Sequence, residues 1–407
     1  MKIIYVDNNA TTQVAPEVRA AMMPFFTEDY FNPSSMYDPA RRINQALREA
    51  RQQIAGHFGI ADPEQFVFTA CATESNNMAI FGAAKANRNR RRVITTAVEH
   101  PAVLEVCKEL QHDGYEVTFL HVDADGNLDV GEFVRALTPD TLMVSIMHAN
   151  NETGVVFPID QLSRLTKETD PAIVFHTDAT QSVGKIAIDL KREFRHVDLL
   201  SFSGHKLHAP KGIGALYIRK GTPCRSFLIG GHQEEGRRAG TENVPYIVGL
   251  AKAMQLAAEN YGDEETRVRG LRDRLEKAIE EQIPYVQVNG KKAPRLPNTL
   301  NVSCHCVEGE SLLFPLSYCG ICASSGSACT SGTLEPSHVL RAMKVPDAAV
   351  QGSVRFSFSR YNSDEDIDRI IEVFPEIVAN IRRMSPYWDQ NGNAPRAGAE
   401  SLIRGRQ

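Results

Sequence analysis

The 407-residue chain has no uninterrupted apolar stretch approaching the roughly 20 residues that a helical membrane span requires, so no membrane partner is expected. Its N-terminal Ile3-Ile4-Tyr5-Val6 is cut short by Asp7-Asn8-Asn9, well below the apolar core of a secretory signal, and a cytoplasmic location is expected. Neither charge is in large surplus. With 45 Lys+Arg against 50 Asp+Glu the formal net charge is −5 at pH 7, so no positive field gathers nucleic acid or anionic lipid. The one dense basic run, Arg88-Asn89-Arg90-Arg91-Arg92, falls between a helix pattern and a strand pattern and reads as a solvated connector. Internal repeats and low-complexity tracts are missing as well.

What is present is length and patterning. At about 150 residues per domain the chain corresponds to two or three domains, large enough to bury cores without disulfide or metal staples. Gln65–Thr69, Val93–Thr96, Glu116–Val122, Leu142–Met147, Ile173–Thr177, Val197–Phe202 and Ala215–Ile218 are short Val/Ile/Phe-rich runs. They are separated by segments of helix length, among them Glu74–Ala86 and Pro101–Asp113, which predicts an α/β domain with a mainly parallel sheet flanked by helices. Helical patterning from Val244 to about Ile283 is expected to break and restart at Gly262-Asp263-Glu264-Glu265. The last third reads as a smaller α+β domain, with strands at Asn298–Ser303 and Ser353–Ser359 and helices at Glu310–Leu316, Pro336–Met343 and Asp364–Arg383. The expected division is 14–260 for the large domain, 1–13 with 261–388 for the small one, and a flexible tail over 389–407.

Three groups sit at the ends of predicted strands, where open parallel sheets bind ligands. Ala72-Thr73-Glu74-Ser75 joins a strand to a helix N-terminus and offers free N–H groups and a hydroxyl, either as a phosphate seat or as ordinary capping by Thr73. Asp178, in His-Thr-Asp-Ala-Thr-Gln, either caps a turn or faces a cation such as a protonated pyridine nitrogen. Lys206, in Ser-Phe-Ser-Gly-His-Lys, is either a solvated charge or a Schiff-base-forming amine in a small-residue loop that a cofactor can approach.

Together these motifs resemble the class V, fold type I pyridoxal phosphate enzymes. His100 in Val-Glu-His-Pro-Ala-Val, Gln181 in Asp-Ala-Thr-Gln, Asn150-Asn151-Glu152-Thr153-Gly154 and Arg355 in Val-Arg-Phe-Ser belong to the same pattern. Ser324-Ser325-Gly326-Ser327-Ala328-Cys329-Thr330-Ser331-Gly332 is similar to the active-cysteine loop (about 320–335) of the group I cysteine desulfurases. The likeness extends from Tyr5–Thr12 to Ser385-Pro386-Tyr387-Trp388. Gly231–Glu234 and Gly236–Asn243 look most like the nitrogen-fixation NifS branch, with the housekeeping IscS branch next.

The resemblance implies a homodimer that uses pyridoxal 5'-phosphate to take sulfur from L-cysteine, giving L-alanine and a persulfide on Cys329. The sulfur would pass to a NifU-like or IscU-like iron–sulfur scaffold, with Cys329 in transient contact with a cluster and no resident metal. A related lyase or aminotransferase of the same fold is the other reading. Lys206 would carry the cofactor and move the Cα proton, His100 would stack on the ring, and Asp178 would pair with its nitrogen. Gln181 and Asn151 would reach the phenolic oxygen. Ala72, Thr73, Ser203 and His205 would hold the phosphate, with Thr241 contributed by the neighbouring subunit, and Arg355, together with Asn151, would take the substrate. Small residues around Cys329 imply a loop able to carry sulfur, and an ordinary thiol with a pKa of about 8.5 would need activation to be a thiolate at neutral pH.

Five of the eight cysteines fall between Cys304 and Cys329. Cys304-His305-Cys306 and Cys319-Gly320-Ile321-Cys322 read either as a metal or redox site or, with Cys304 and Cys306 on one strand face, as small apolar packing. Cys71 stands where the family pattern has glycine, which would make the phosphate loop less permissive.

Overall fold

The computed structural model describes residues 2–87, 89–325 and 336–399. Cys329 and most of its loop lie outside the described residues. The strands of the larger unit follow β1 (Ile4–Tyr5): β2 (Phe66–Thr69), β3 (Arg92–Thr96), β4 (Glu116–Leu120), β5 (Thr141–Ser145), β6 (Val174–Asp178), β7 (Leu199–Ser203) and β8 (Gly214–Ile218). They form one sheet in the order β2-β8-β7-β6-β5-β3-β4, and only β8 runs against the rest. The fold is thus α/β with a mainly parallel mixed sheet. Successive side chains turn to opposite faces. Ile94, Val144, Phe175 and Leu200 join the core that also holds residues of the helices Pro16–Met22, Asp38–His57 and Val244–Asp263. Val93, Met143, Val174 and Leu199 pack on the other face with residues of Ala72–Ala86 and Pro101–His112. Burial on both faces explains why these strands read as continuous apolar runs and not as alternating ones.

A second core is built on an antiparallel sheet of β9 (Val286–Val288), β10 (Thr299–Cys304) and β12 (Ser353–Ser357), in the order β12-β10-β9. Helices Arg269–Gln282, Gly309–Tyr318 and Asp364–Met384 bury residues against it. The first residues of the chain complete this unit. β1 pairs in parallel with β11 (Ile321–Cys322), the Ile4 N–H donates to Gly320 O at 2.8 Å, and the Asn8 N–H donates to Ser357 O at 3.2 Å.

Four expectations need correction. The helix that begins at Val244 does not break near residue 262. It continues through a π turn, Glu264–Val268, into Arg269–Gln282, and Glu264 turns inward instead of lying in an exposed first turn. Arg267 holds this widened turn by donating to Asp263 and to the carbonyls of Arg360 and Asn362. The basic connector is less solvated than its composition implies. Arg90 donates to Asp170 (2.6 Å) and Thr141 O (3.1 Å), and Arg92, within β3, donates to Glu116 at 2.7 and 2.8 Å.

The tail, third, is folded as far as residue 399. β13 (Trp388–Asp389) pairs with β14 (Ala394–Pro395), and Trp388 and Ala399 are buried with Cys306. Fourth, Cys304 and Cys306 share no strand face. Cys304 ends β10 inside the second core, whereas Cys306 lies beyond the strand with φ 61° and donates to Tyr387 O. Burial pushes the Cys304 thiol up to about 12, so it stays protonated and packs as an apolar group. Among the described residues no three His, Cys, Asp or Glu side chains come together as a metal cage, and no helix is long and apolar enough to cross a membrane.

Trp388 meets Tyr285 edge-on at 5.6 Å and lies under the Arg382 guanidinium at 4.1 Å. That guanidinium in turn donates to the carbonyls of Pro284, Tyr285 and His305. Trp388→Ala is expected to cost about 3–5 kcal/mol, read by calorimetry as a lowered transition. A variant melting like the parent would mean that the terminal ribbon adds nothing to the second core.

Candidate active site

All strands of the large sheet except β8 point the same way, so Thr69, Thr96, Ser145, Asp178 and Ser203 end along one edge. There a cavity of about 320 Å³ opens, within the roughly 300–1,000 Å³ of small-molecule sites. Its walls come from Asp178 and Ser203, from the segments that follow the strands, from the N-terminal segment at Asn9 and Ala10, and from Arg355 of the second unit. Ala72, Thr73, His100, Asn151, Asp178, Gln181, Ser203, His205 and Lys206 all line it. Thr241 does not. It is an exposed residue away from this cavity, and Cys329 lies outside the described residues.

Lys206 closes the short turn Gly204–Lys206 after β7, and its Nζ donates to Asn9 O (2.6 Å) and Ala10 O (2.7 Å). Asp178 is the last residue of β6. Its carboxylate accepts from Asn76 Nδ2 at 2.7 Å and from the Thr180 N–H at 2.9 Å, so a buried negative charge is held by donors from two elements. His100 caps the helix Pro101–His112, its Nδ1 accepting from the Ala102 N–H at 3.1 Å. Burial holds its pKa below the ordinary value, with Asp178 pulling the other way, so the neutral ring carries its proton on Nε2.

The anion-binding end is built from backbone. The helix Ala72–Ala86 begins at Cys71 with no side-chain cap, leaving its first N–H groups and the positive dipole end to the cavity. Cys71 has φ −173°, an extended conformation open to any residue, so the departure from glycine strains nothing. Gly214 at the start of β8 packs so closely that a Cβ there would lie 2.8 Å from the Cys71 carbonyl carbon. The Ser203 and Thr180 hydroxyls on the cavity wall have no partner, and the Asn76 Oδ1 is likewise unsatisfied. His205 is held by Thr11 Oγ1 at 3.2 Å, and burial beside Lys206, Lys211 and Lys185 pushes it down to about 4.

Arg355, in the middle of β12, is buried and donates to Asp7 Oδ1 (2.7 Å) and Asn151 O (2.9 Å), while its Nε is unsatisfied. The Gln181 amide donates through Nε2 to Asn9 O at 3.0 Å. Four contributors escaped the sequence reading: Asn9, Asp7, Asn76 and Thr180. The Asn8-Asn9 pair directly after an apolar strand was the available signal for the first, and the spacing of Asn76 one helical turn past Thr73 for the third.

The aminotransferase class-V family model matches residues 4–370. The chain belongs to the class-V aminotransferase family. Within it the chain is 52% identical to the cysteine desulfurase of Trichormus azollae over 405 residues, 99% of each chain. It is 51% identical to the cysteine desulfurase NifS of Azotobacter vinelandii over 392 residues, 96% of each. A solved structure described as a NifS-like protein superposes with a TM-score of 0.87 at 38% identity, covering 93% of this chain and 100% of that one. Another, SspA in complex with cysteine, gives 0.77 at 34% identity, covering 88% and 99%. Class-V aminotransferases depend on pyridoxal phosphate.

Behind His100 in this class-V site lies Glu99, fully buried. Its carboxyl accepts from the Met147 N–H (2.9 and 3.1 Å) and from Thr96 Oγ1 (2.8 Å). Burial pushes it up to about 8 from a usual 4.5, so the folded chain holds a proton that the unfolded chain releases. The stabilisation is therefore complete below about pH 4.5 and lost as pH rises through 8. Glu99→Gln removes this titration. The melting-temperature difference between variant and parent is expected to move in the variant's favour from pH 5 to pH 9, and a difference independent of pH would refute the assignment.

Proposed function

We propose that this chain is a pyridoxal 5'-phosphate-dependent cysteine desulfurase that converts L-cysteine to L-alanine and leaves the sulfur as a persulfide on Cys329. The observation that carries the reading is one cavity in which an amine (Lys206), a carboxylate held by Asn76 (Asp178), an uncapped helix start and an arginine (Arg355) converge. The residues fit the cofactor: Ser203 and Thr180 have hydroxyls without partners, and the first N–H groups of helix Ala72–Ala86 are free for a phosphate. Ala72, Thr73, Ser203 and His205 would hold that phosphate, Asp178 the ring nitrogen, and Gln181 and Asn151 the phenolic side. Thr241 would serve the site of the other subunit in a homodimer. When bound, pyridoxal phosphate supplies an electron sink for the pair left by the departing Cα proton.

The chain's own groups do the rest. Lys206 Nζ takes and returns the proton at Cα, and Asn9 O and Ala10 O fix its position. The His100 ring, neutral and anchored through Nδ1, offers its face and its Nε2 proton to the cavity. The Arg355 guanidinium receives the substrate carboxylate, in competition with Asp7. Because Arg355 also donates to Asn151 O, it joins the second unit to the first at the cavity. The Cys329 thiolate attacks the substrate sulfur. The S–S bond forms as the C–S bond breaks, and the carbon keeps the electron pair, gains a proton and leaves as alanine.

Relatives of 51–52% identity named as cysteine desulfurases, NifS among them, support iron–sulfur assembly for nitrogenase as the destination, with a NifU-like scaffold as acceptor. Incubation with L-cysteine is expected to give alanine and persulfide sulfur in equal amounts. Lys206→Ala should lose visible absorbance and at least about a thousandfold in rate, and Cys329→Ser should keep the absorbance but form no persulfide. Sulfur release at the parental rate by Cys329→Ser would overturn the reading. Faster cluster formation on an IscU-like than on a NifU-like scaffold would overturn the nitrogenase destination.

A further inference from the structure

Lys185 is a buried lysine outside the lining of the main cavity. It lies one turn beyond Gln181, and its Nζ donates to Gln181 O (2.8 Å) and Gln181 Oε1 (3.0 Å). Among the described residues no carboxylate comes within ion-pair distance of it, although an isolated buried cation costs several kcal/mol. Glu264, turned inward by the π turn, shares a small cavity with it and has an unsatisfied Oε2. Lys206, His208 and Arg360 line the same space. Burial pushes Lys185 down to about 7. Repulsion from Lys206 and Arg355 acts in the same direction, and Glu264 opposes it. The charge of Lys185 is also felt at His205 and His208.

We infer that Lys185 is a positioning residue of the active site, one that locks Gln181 as a hydrogen-bond donor into the cavity and biases Lys206 toward its free amine. The first half follows from donor and acceptor types. An ammonium only donates and a backbone carbonyl only accepts. With Lys185 on Oε1 and Asn9 O on Nε2, the Gln181 amide has one allowed orientation, and its second N–H is left for an acceptor in the cavity. The second half follows from reciprocity. The repulsion that Lys206 exerts on Lys185 is exerted equally on Lys206, whose Nζ shares the Asn9 carbonyl with Gln181. A more easily freed amine is the form that attacks a carbonyl carbon. What occupies the cavity rests on the desulfurase reading, but the behaviour of Lys206 does not.

The test uses the full-length chain stripped of cofactor. It is acylated with an amine-selective ester at pH 6, below the value of about 7 at which Lys185 loses its charge, and modification at Lys206 is read by peptide mass spectrometry beside a thermal melt. Removing the neighbouring cation raises the Lys206 pKa and leaves less free amine. Lys185→Met and Lys185→Gln are therefore both expected to slow Lys206 labelling about threefold or more, half a pH unit, while Lys185→Arg stays near the parent. The two neutral variants then separate the two roles. Gln retains a donor to Gln181 Oε1 and Met does not, so Met should weaken the equilibrium dissociation constant for pyridoxal phosphate more than Gln. Unchanged Lys206 labelling in folded neutral variants overturns the electrostatic half, and equal cofactor affinity in both overturns the amide half. If Lys185→Met does not melt cooperatively, the electrostatic half is decided by Lys185→Gln. The amide half is then decided by whether Gln181→Leu weakens cofactor binding equally in the parent and in Lys185→Gln. Because labelling needs neither cofactor nor cysteine, a parent chain that labels as expected but makes no alanine would fail the desulfurase reading alone.

Discussion

The backbone carbonyl of Asn9 is the point on which the site depends. It accepts from Lys206 Nζ at 2.6 Å and from Gln181 Nε2 at 3.0 Å, two donors from different loops of the large sheet. The same residue's side chain reaches Asn151 O, Thr299 Oγ1 and Asn298 Nδ2, and its own N–H donates to Ser357 Oγ. One buried asparagine thus fixes the reactive amine, a cofactor-side amide and the seam between two cores. Each bond alone is worth about 1 kcal/mol, yet none can be lost singly without stranding a buried polar partner. Such networks specify geometry more than they add stability.

Around that point the fold keeps several ionisable groups away from water. Glu99 backs His100 through its position in the chain, and Glu152 follows Asn151 and is pushed up to about 7 by burial. The Glu152 carboxyl accepts from Ser337 Oγ, and the carbonyl of Glu99 meets His338 Nε2 at 2.9 Å. The residues that resume the described chain at 336 are thereby fastened to the neighbours of two cavity residues. Buried acids in their neutral form can make such contacts without demanding a counter-charge.

The sheet was legible because buried parallel strands cannot hide. Leu142-Met143-Val144 and Leu199-Leu200 are apolar on both faces, and their shortness between helix-length segments favours buried strands. Most of the cavity was legible too, because Asp178, Ser203 and Lys206 stand at the ends of those strands. The Asp7–Arg355 pair and the Asn76–Asp178 bond were not, since they join residues 348 and 102 positions apart and have no local pattern. The π turn escaped for a different reason. Gly262-Asp263-Glu264-Glu265 is good break chemistry, and the helix runs on with Arg267 bonded to carbonyls nearly a hundred residues away and Thr266 bonded across the turn to Gly262 O. Composition likewise misjudged the tail, whose Ala399 is buried in one cluster with Trp388 just before it and with Cys306.

The N-terminal segment bears on how the protein is made. Asn8 reaches Ser357 across a separation of 349 residues, so an early segment finds its partners in one synthesised much later. Contacts of such span close late because the intervening loop entropy has to be overcome first. The large sheet can collapse while synthesis continues. The carbonyls that position Lys206 are set only when the second core has formed, so a nascent chain carries the lysine but not the pocket that would make it reactive.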